Sequence, residues 1–297
     1  MEPQAVVDDA PTGKDWCGLS WSQWVAFDGG DFASLTTGPG VYRIRVVGQS
    51  SLVYVGQTGR SVRDRLRALR SNSLAEEMPY NDPHTAAPSL WAWRHAEGYS
   101  YECSGASATP DPFQRKALEC FLLWKYRLST GTSTLCNHGH FHPSYKKSGN
   151  RSSGVRGGLL RPEVTPRSRN ESQQLLLRSA EPTASDWMGV NWSRWLPVGT
   201  HLNEAGPALY RLRHANGSEL LYIGETLRLS QRAKSHARTY LDHGQIEISY
   251  ATQAGGIGKP ALLELENDLI GCYYDAMGRP PTFQFANGIP QALHAPA

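Results

Sequence analysis

An internal repeat constrains this chain more than any other feature of its sequence. Ten residues at Asp15–Trp24 (DWCGLSWSQW) recur at Asp186–Trp195 (DWMGVNWSRW) with six identities, three of which are tryptophan. Downstream, Gly38–Arg45 matches Gly206–Arg213 in the same order. The offsets of 171 and 168 residues are too long for the period of a solenoid, so they predict duplication of a whole domain.

Length and composition agree with two soluble domains. The chain has 297 residues, enough for about two domains, and its 39% hydrophobic and 19% charged residues are typical of globular proteins. No apolar run approaches the ~18 residues of a membrane span, and the acidic N-terminus lacks the pattern of a secretory signal. The five cysteines form no CxxC pair, which favours a reducing compartment. We therefore expect a cytoplasmic protein with no membrane association.

The repeat also suggests domain boundaries. We predict a first domain over residues 1–147, a linker over 148–185 and a second domain over 186–297, with an insertion near 71–98 in the first domain. The linker is rich in Arg, Ser, Gly and Pro, and residues 151–185 carry six basic and three acidic side chains. This composition is typical of a tether that is mobile when free. Arginines also suit phosphate contacts, so both interpretations remain open.

Both copies show the same succession of secondary-structure signals. Two short strands rich in β-branched and aromatic residues form a hairpin, and Asn216-Gly217 is a strong turn signal in the second copy. A helix, a third strand and an apolar helix follow. The predicted hairpin strands cover 41–47, 51–56, 208–214 and 219–224, the third strands 99–103 and 246–250, and the helices 61–69, 115–128, 229–240 and 260–274. We therefore expect two tandem α+β domains, each with a small three-stranded, mainly antiparallel sheet flanked by helices.

The tryptophan motif opens each copy. Ser20 and Gln23 are spaced as in a capping box, which predicts a helix with Trp21 and Trp24 on one face. Core packing is the interpretation we favour for these tryptophans, and stacking on nucleic-acid bases is the alternative.

Paired tripeptides in each copy resemble a known signature. Gly40-Val41-Tyr42 precedes Tyr54-Val55-Gly56, with twelve positions from one tyrosine to the other, and Ala208-Leu209-Tyr210 precedes Tyr222-Ile223-Gly224 at the same spacing. The arrangement resembles that of the GIY-YIG nucleases, in two tandem copies. It covers about 100 residues of each half.

Residues further along extend the resemblance. Members of this family carry an arginine one turn into the next helix, a glutamate on a later helix and an asparagine after that. The corresponding candidates are Arg65 and Arg232, Glu119 and Glu266, and Asn137 and Asn287. In the second copy the segment ALLELENDLI resembles the excision-repair members, and its register selects Glu266 over Glu264.

The resemblance implies metal-dependent hydrolysis of phosphodiester bonds in DNA. Glu119 and Glu266 would each hold a hard divalent ion, Mg²⁺ or Mn²⁺, with water and phosphate oxygens completing its shell. Arg65 and Arg232 would each bind phosphate as a permanent, bidentate cation.

The tyrosines and glycines of the signature have implied roles as well. A tyrosine can act as general base only if nearby positive charge lowers its pKa from about 10. The base candidates are Tyr54 and Tyr222, the tyrosines that would orient water or phosphate are Tyr42 and Tyr210, and the glycines that would let the backbone approach closely are Gly56 and Gly224.

The two copies differ in one histidine. His236 lies four residues after Arg232, on the same helical face, where restriction-type members carry a histidine that relays the proton of the tyrosine. The first copy has Leu69 at that place, and His84 in the adjacent insertion is the candidate to substitute for it.

Basic residues around the first copy are candidates for contact with DNA. Those outside the signature are Arg60, Arg63, Arg67, Lys146, Lys147, Arg151 and Arg156. The segment from Cys136 to His142 alternates four potential zinc ligands as a strand would, but adjacent alternate positions rarely give tetrahedral geometry. DNA contact by the segment that follows it is the interpretation we favour.

The double set of motifs predicts two active sites in one chain. Such a chain would act as a monomeric pseudo-dimer on double-stranded DNA, with one site for each strand, as a restriction or defence nuclease. Three alternatives remain: a repair nuclease that incises beside damaged or structured DNA, a chain with one catalytic copy and one DNA-binding copy, and a DNA-binding protein without catalysis. The sequence does not fix the recognition site, the cleavage pattern or the protein partners.

Overall fold

The computed structural model describes residues 10–165, 171–202, 206–253 and 256–286. The chain forms two compact units, of which the first comprises Met1–Arg115 and Lys125–Arg169 and the second comprises Lys116–Trp124 and Asn170–Ala297. Each unit combines antiparallel sheet with helices, so the α+β class is confirmed. The second unit includes a short segment, Lys116–Trp124, that precedes the first unit's last residues in sequence.

One four-stranded antiparallel sheet forms the centre of the first unit. Its strands are β1 (Val25–Ala26), β2 (Gly40–Val46), β3 (Leu52–Thr58) and β4 (Tyr101–Ser107), in the spatial order β1-β4-β2-β3. The prediction of three strands was therefore one short. The additional strand, β1, has only two residues and pairs with Glu102 and Cys103 of β4, directly after the tryptophan motif.

Three helices accompany this sheet, namely α1 (Val62–Ser73), α2 (Ala87–Glu97) and α3 (Pro112–Thr130). Helix α1 begins where the Ser61 side chain accepts the backbone N–H of Asp64, and α3 begins where Asp111 accepts two backbone N–H groups. Helix α2 lies within the predicted insertion and has no counterpart in the described part of the second unit. A two-stranded ribbon of β5 (Tyr145–Lys146) and β6 (Gly158–Leu159) follows α3.

The second unit repeats this sheet in the same order. Its strands are β7 (Leu196–Pro197), β8 (Ala208–His214), β9 (Leu220–Thr226) and β10 (Ile246–Thr252), arranged β7-β10-β8-β9, and its helices are α4 (Leu229–Thr239) and α5 (Lys259–Met277). Helices α3 and α5 both have 19 residues. The predicted hairpin strands, third strands and four helices of the two copies are all present, with ends that differ by a few residues.

The tryptophan motif does not form the predicted helix. It begins with a single 3-10 turn at Trp16–Gly18, and residues 20–24 have no helical hydrogen bonds. Cys17 adopts a left-handed conformation at φ 56°, which ends the turn. The chain then runs along β4, where the Ser22 N–H donates to the Gly105 carbonyl. The capping spacing of Ser20 and Gln23 was therefore coincidental.

The motif instead encloses a buried arginine on the sheet. Arg43 is fully buried, its Nη2 donates to the Gly13 carbonyl at 2.7 Å, and its guanidinium carbon lies 4.2 Å from the ring centre of Trp21. Arg211 repeats these contacts with the Ala184 carbonyl and with Trp192. Burial lowers the pKa of both arginines to about 9. The expected packing role of the tryptophans is confirmed for these buried rings.

Parts of the predicted linker are folded. Strand β6 lies within it, and the carbonyls of residues 182–184 accept hydrogen bonds from Arg211 in the second unit. In the described part of the chain, none of the five cysteines forms a disulfide. Within the described ranges, no helix combines the length and apolar character that crossing a bilayer requires.

Candidate active site

The hairpin of each unit presents two tyrosines on one face of its sheet. Tyr42 lies opposite Gly56 in the β2–β3 register, and Tyr210 lies opposite Gly224 in the β8–β9 register. The second tyrosine of each pair stands two residues before the glycine, so the two rings are diagonal neighbours. Their centres are 6.1 Å apart in the first unit and 5.9 Å apart in the second.

The glycines make room for these rings. A Cβ atom at Gly56 would lie 2.6 Å from the Tyr54 ring and 2.7 Å from the Tyr42 hydroxyl. A Cβ at Gly224 would lie 2.6 Å from the Tyr222 ring and would also collide with Tyr210. In this structure, each glycine thus has a steric reason within the chain itself, besides the close approach to substrate that we predicted.

Helix α4 brings two further side chains to the second tyrosine pair. Arg232 Nε donates to the Tyr210 hydroxyl at 2.8 Å, and its Nη2 donates to the Tyr222 hydroxyl at 3.4 Å. One turn later, His236 Nε2 lies 3.0 Å from the Tyr210 hydroxyl. The structure therefore brings these four predicted residues together, because positions i and i+4 of a helix share a face.

The protonation state of His236 determines which groups of this network donate and which accept hydrogen bonds. Burial, followed by the charge of Arg232, lowers the pKa of His236 to about 4, so the imidazole is neutral near pH 7. A guanidinium can only donate, so the Tyr210 oxygen accepts from Arg232. In the tautomer that carries its proton on Nδ1, the Nε2 atom of His236 can accept the hydroxyl proton of Tyr210.

The two tyrosines differ in exposure and in pKa. Tyr210 is fully buried, whereas Tyr222 keeps part of its surface in solvent. Burial, followed by the charge of Glu266, raises the pKa of Tyr222, while Arg232 and a hydrogen bond with Tyr210 lower it. The predicted lowering by arginine is present, but burial outweighs it and the pKa of Tyr222 is raised. Tyr222 is thus the more exposed tyrosine, whereas the hydrogen-bond contact with His236 belongs to Tyr210.

The glutamate of the second unit lies beside this network. Glu266 is the eighth residue of α5, and burial, followed by the charge of Glu225, raises its pKa to about 8. Lys259, Arg232 and a backbone hydrogen bond from Glu225 oppose that rise in pKa. Glu264, in contrast, is fully buried and its carboxylate accepts the backbone N–H of Ser172. The choice of Glu266 over Glu264 thus agrees with the geometry.

An open cleft of about 650 Å³ adjoins these residues in the second unit. Its lining includes three cationic side chains and one carboxylate. The lining residues are Glu225, Thr226, Leu227, Arg228, Gln231, Arg232, Ser235 and Lys259. A cleft with this charge distribution is suited to an anionic ligand such as a phosphodiester.

The first unit repeats the tyrosine–arginine contact with a different histidine. Arg65 Nε donates to the Tyr42 hydroxyl at 3.2 Å, and Arg65 Nη1 also lies against His84 Nδ1. Burial, followed by the charge of Arg65, lowers the pKa of His84. Leu69 is fully buried at the position that corresponds to His236. His84 therefore contacts the arginine of the first unit, whereas His236 contacts the tyrosine of the second.

Glu119 occupies the position in α3 that Glu266 occupies in α5. Both are the eighth residues of 19-residue helices, so the sequence offset between them is the helix offset of 147. Glu119 lies in the segment of α3 that belongs to the second unit.

Asn137 binds the backbone of the hairpin. Its amide accepts the Val55 N–H at 3.0 Å and donates to the Val55 carbonyl at 2.8 Å. In the second unit Gln284 forms the same two bonds with Ile223, at 2.9 and 3.1 Å. The counterpart of Asn137 is therefore Gln284; Asn287, the predicted residue, lies outside the described residues. A signal was present, because Asn137 and Gln284 both follow their glutamates by 18 residues.

A second pair of residues also escaped prediction. The residue after each glycine on the hairpin contacts a cation near the start of the later helix. Gln57 accepts a hydrogen bond from Arg115 Nε at 2.7 Å, and Glu225 forms an ion pair with Lys259. Both positions are visible in the aligned sequences YVGQT and YIGET, but nothing in the sequence connects them to the helices.

Several predicted DNA contacts are engaged within the chain. Arg63 donates to the carbonyls of Ala33 and Leu35, so it holds the loop before β2. Arg67 forms an exposed ion pair with Asp64 at 3.5 Å. Arg60 and Lys146 are exposed, and burial lowers the pKa of Lys147.

The remaining two arginines of that set surround Tyr80. The guanidinium carbon of Arg156 lies 4.4 Å from its ring centre and that of Arg151 lies 5.5 Å away. Arg156 also donates to the Met78 carbonyl and pairs with Glu77. Both arginines are thus already engaged in contacts within the first unit.

The histidine segment after α3 is a turn, contrary to the strand-like alternation. His138 has φ 54° and Gly139 has φ 80°, which excludes an extended conformation there. His142 Nε2 lies 3.1 Å from a Glu97 carboxylate oxygen. Across the described ranges, no group of three or more His, Cys, Asp or Glu side chains is arranged to hold a metal ion.

Scans against models of known protein families, against curated proteins and against solved structures found no match for this chain.

Proposed function

We propose that this chain is a metal-dependent endonuclease with two GIY-YIG active sites that hydrolyses phosphodiester bonds in double-stranded DNA. The observation that carries the proposal is the duplicated constellation around the hairpins. In each unit an arginine Nε donates to the first tyrosine of the pair, which stands opposite a glycine where an added Cβ would collide with the tyrosine side chains. A glutamate occupies the eighth position of each 19-residue helix.

The proton of the attacking water has a route through the second unit. Tyr222, the accessible tyrosine, takes that proton while its own passes to Tyr210, and the proton of Tyr210 passes to Nε2 of His236. The neutral state of His236 supports this route, because a protonated imidazole could not accept. The resulting hydroxide attacks phosphorus, the P–O bond to the leaving oxygen breaks, and solvent protonates that oxygen. Arg232 neutralises charge that develops on the phosphate.

The donor set fits a hard divalent cation. Glu266 and the adjacent Glu225 are carboxylates, and Glu225 Oε2 is buried without a hydrogen-bond partner. Mg²⁺ commonly uses one or two carboxylates together with water and phosphate oxygens. When bound, Mg²⁺ would polarise the scissile phosphate and stabilise its added negative charge.

The test is cleavage of a supercoiled plasmid by Glu119→Gln and Glu266→Gln. If each copy of the motif cuts one strand, each variant becomes a nickase, and primer extension on the products maps the two nicks to opposite strands. If one substitution abolishes all cutting and the other changes nothing, only one copy is catalytic. Binding of DNA by the wild type with no cleavage in Mg²⁺ or Mn²⁺ would contradict nuclease activity altogether.

The biological class follows from substrate choice. We favour a restriction or defence nuclease because His236 contacts the tyrosine pair, in agreement with the restriction-type resemblance. Cutting of intact plasmids at fixed positions supports this class. Selective incision of damaged or branched duplexes would instead indicate a repair nuclease.

A further inference from the structure

Glu225 is a buried carboxylate with spare ligand capacity. It follows Gly224 on β9, and only 6% of its side chain is exposed. One oxygen, Oε1, pairs with Lys259 Nζ, whereas Oε2 is buried with no hydrogen-bond partner. A buried carboxylate oxygen without a donor is costly, so the unpaired Oε2 is available to a cationic or hydrogen-bonding ligand.

The position of Glu225 identifies the nature of that ligand. Its backbone N–H donates to the Glu266 carboxylate, so the two carboxylates are neighbours. Its side chain also lines the cationic cleft, where phosphate oxygens would enter. Mg²⁺ is commonly held by one or two carboxylates together with phosphate oxygens, so Glu225, Glu266 and an entering phosphate form a ligand set for a divalent cation.

We propose that Glu225 is a second carboxylate ligand of the divalent cation in the second unit, a role that Gln57 cannot fill in the first unit. This inference rests on the proposed nuclease function. Gln57 is neutral, and its Oε1 already accepts a hydrogen bond from Arg115 Nε at 2.7 Å. The two sites of this chain therefore differ in charge at corresponding positions and bind the cation with different affinity, the second unit more tightly.

Direct measurement of metal binding tests the proposal without DNA cleavage. Full-length protein is titrated with Mn²⁺, and free Mn²⁺ is followed by its electron paramagnetic resonance signal. We expect two classes of site in the wild type, and Glu225→Gln weakens the tighter class roughly 10-fold or more. Glu219→Gln, which alters an exposed carboxylate next to β9, leaves both classes unchanged.

Two further variants separate a ligand from an ion-pair partner. Lys259→Met removes the competing cation and raises Mn²⁺ affinity if Glu225 is a ligand. Gln57→Glu gives the first unit the charge of the second and makes the two classes more alike. Thermal melts verify that each variant folds, and the Gln57→Glu gain does not depend on removing any native contact of Glu225.

Two results of the Mn²⁺ titration would overturn the inference. One is a Glu225→Gln variant that binds Mn²⁺ as tightly as the wild type does, while Glu266→Gln loses the tighter class of site. The other is a wild-type chain with a single class of equal sites or with no Mn²⁺ binding. Strand cleavage is measured separately, so a Glu225→Gln variant that cuts both strands with unchanged Mg²⁺ dependence refutes the ligand role and leaves the nuclease function intact.

Discussion

Replacing Glu266 with glutamine should stabilise the second unit while it abolishes cleavage there. Burial, then the charge of Glu225, raises the pKa of Glu266 to about 8 from an ordinary value of 4.5. That difference corresponds to about 5 kcal/mol of stability. We take it as an upper value, because the side chain keeps some contact with solvent. Glutamine has nearly the same shape and no charge, so it escapes this cost.

The effect has a defined pH dependence. Between about pH 4.5 and 8 the folded chain retains the proton of Glu266, whereas the unfolded chain has released it. The contribution of this group to stability is therefore complete below the unfolded pKa and is lost as the pH rises through about 8. The advantage of Glu266→Gln over the wild type should be near zero at pH 4.5 and approach its full value at pH 9.

Hydrogen exchange of the α5 amides measures this difference locally. A local probe is needed because a chain of two units need not unfold in one step. Protection factors are compared in EDTA from pH 5 to 9, with Glu219→Gln as the exposed control. An advantage that stays constant across this range would refute the reasoning, since it would show that Glu266 ionises in the folded chain without penalty. Mg²⁺ should stabilise the wild type and leave Glu266→Gln unchanged.

Further substitutions test other parts of the structure. Gly224→Ala places a Cβ against both tyrosine rings, and we expect about 100-fold slower cutting of the second unit's strand with an unchanged circular dichroism spectrum. Gln284→Ala removes two hydrogen bonds to β9 and should cost about 2 kcal/mol in urea unfolding, with a smaller loss for Gln284→Asn. Arg211→Met leaves three backbone carbonyls without their donor. It should lower the free energy of unfolding, followed by tryptophan fluorescence, by roughly 3 kcal/mol or more. His236→Leu, which gives the second unit the residue of the first, should slow cleavage of one end-labelled strand about 10- to 100-fold and leave the other strand unaffected.

The sequence predicted elements better than contacts. The hairpins, the third strands and the long helices follow from local signals, namely β-branched runs, an Asn-Gly turn and apolar periodicity. The helix predicted for the tryptophan motif was wrong because a long-range contact outweighed the local signal. Its capping spacing suggested a helix, but Arg43 draws the preceding carbonyls toward the sheet and the chain extends along β4 instead. A long-range contact overrode a local preference, and no local pattern contains that information.

The sequence predicted most of the residues that form the candidate site, but not which of them are in contact. Tyr210 and Arg232 were named from the resemblance to the GIY-YIG signature, and the structure joins the two side chains by a hydrogen bond. Which tyrosine contacts His236 depends on strand register and helix orientation, which the spacing does not supply. Gln284 was missed because an asparagine was sought, although its distance from Glu266 equals the distance from Glu119 to Asn137.

Comparison of the two copies separates residues kept for packing from residues kept for chemistry. Arg43 and Arg211 are retained and buried, and carbonyls within the chain account for their hydrogen bonds, so the fold alone explains them. Arg232 is different, because it is exposed to an open cleft while it holds the buried hydroxyl of Tyr210. Packing alone would favour phenylalanine there, since a buried hydroxyl must be paired. Retention of the hydroxyl and its arginine in both copies therefore favours a role in chemistry at the cleft.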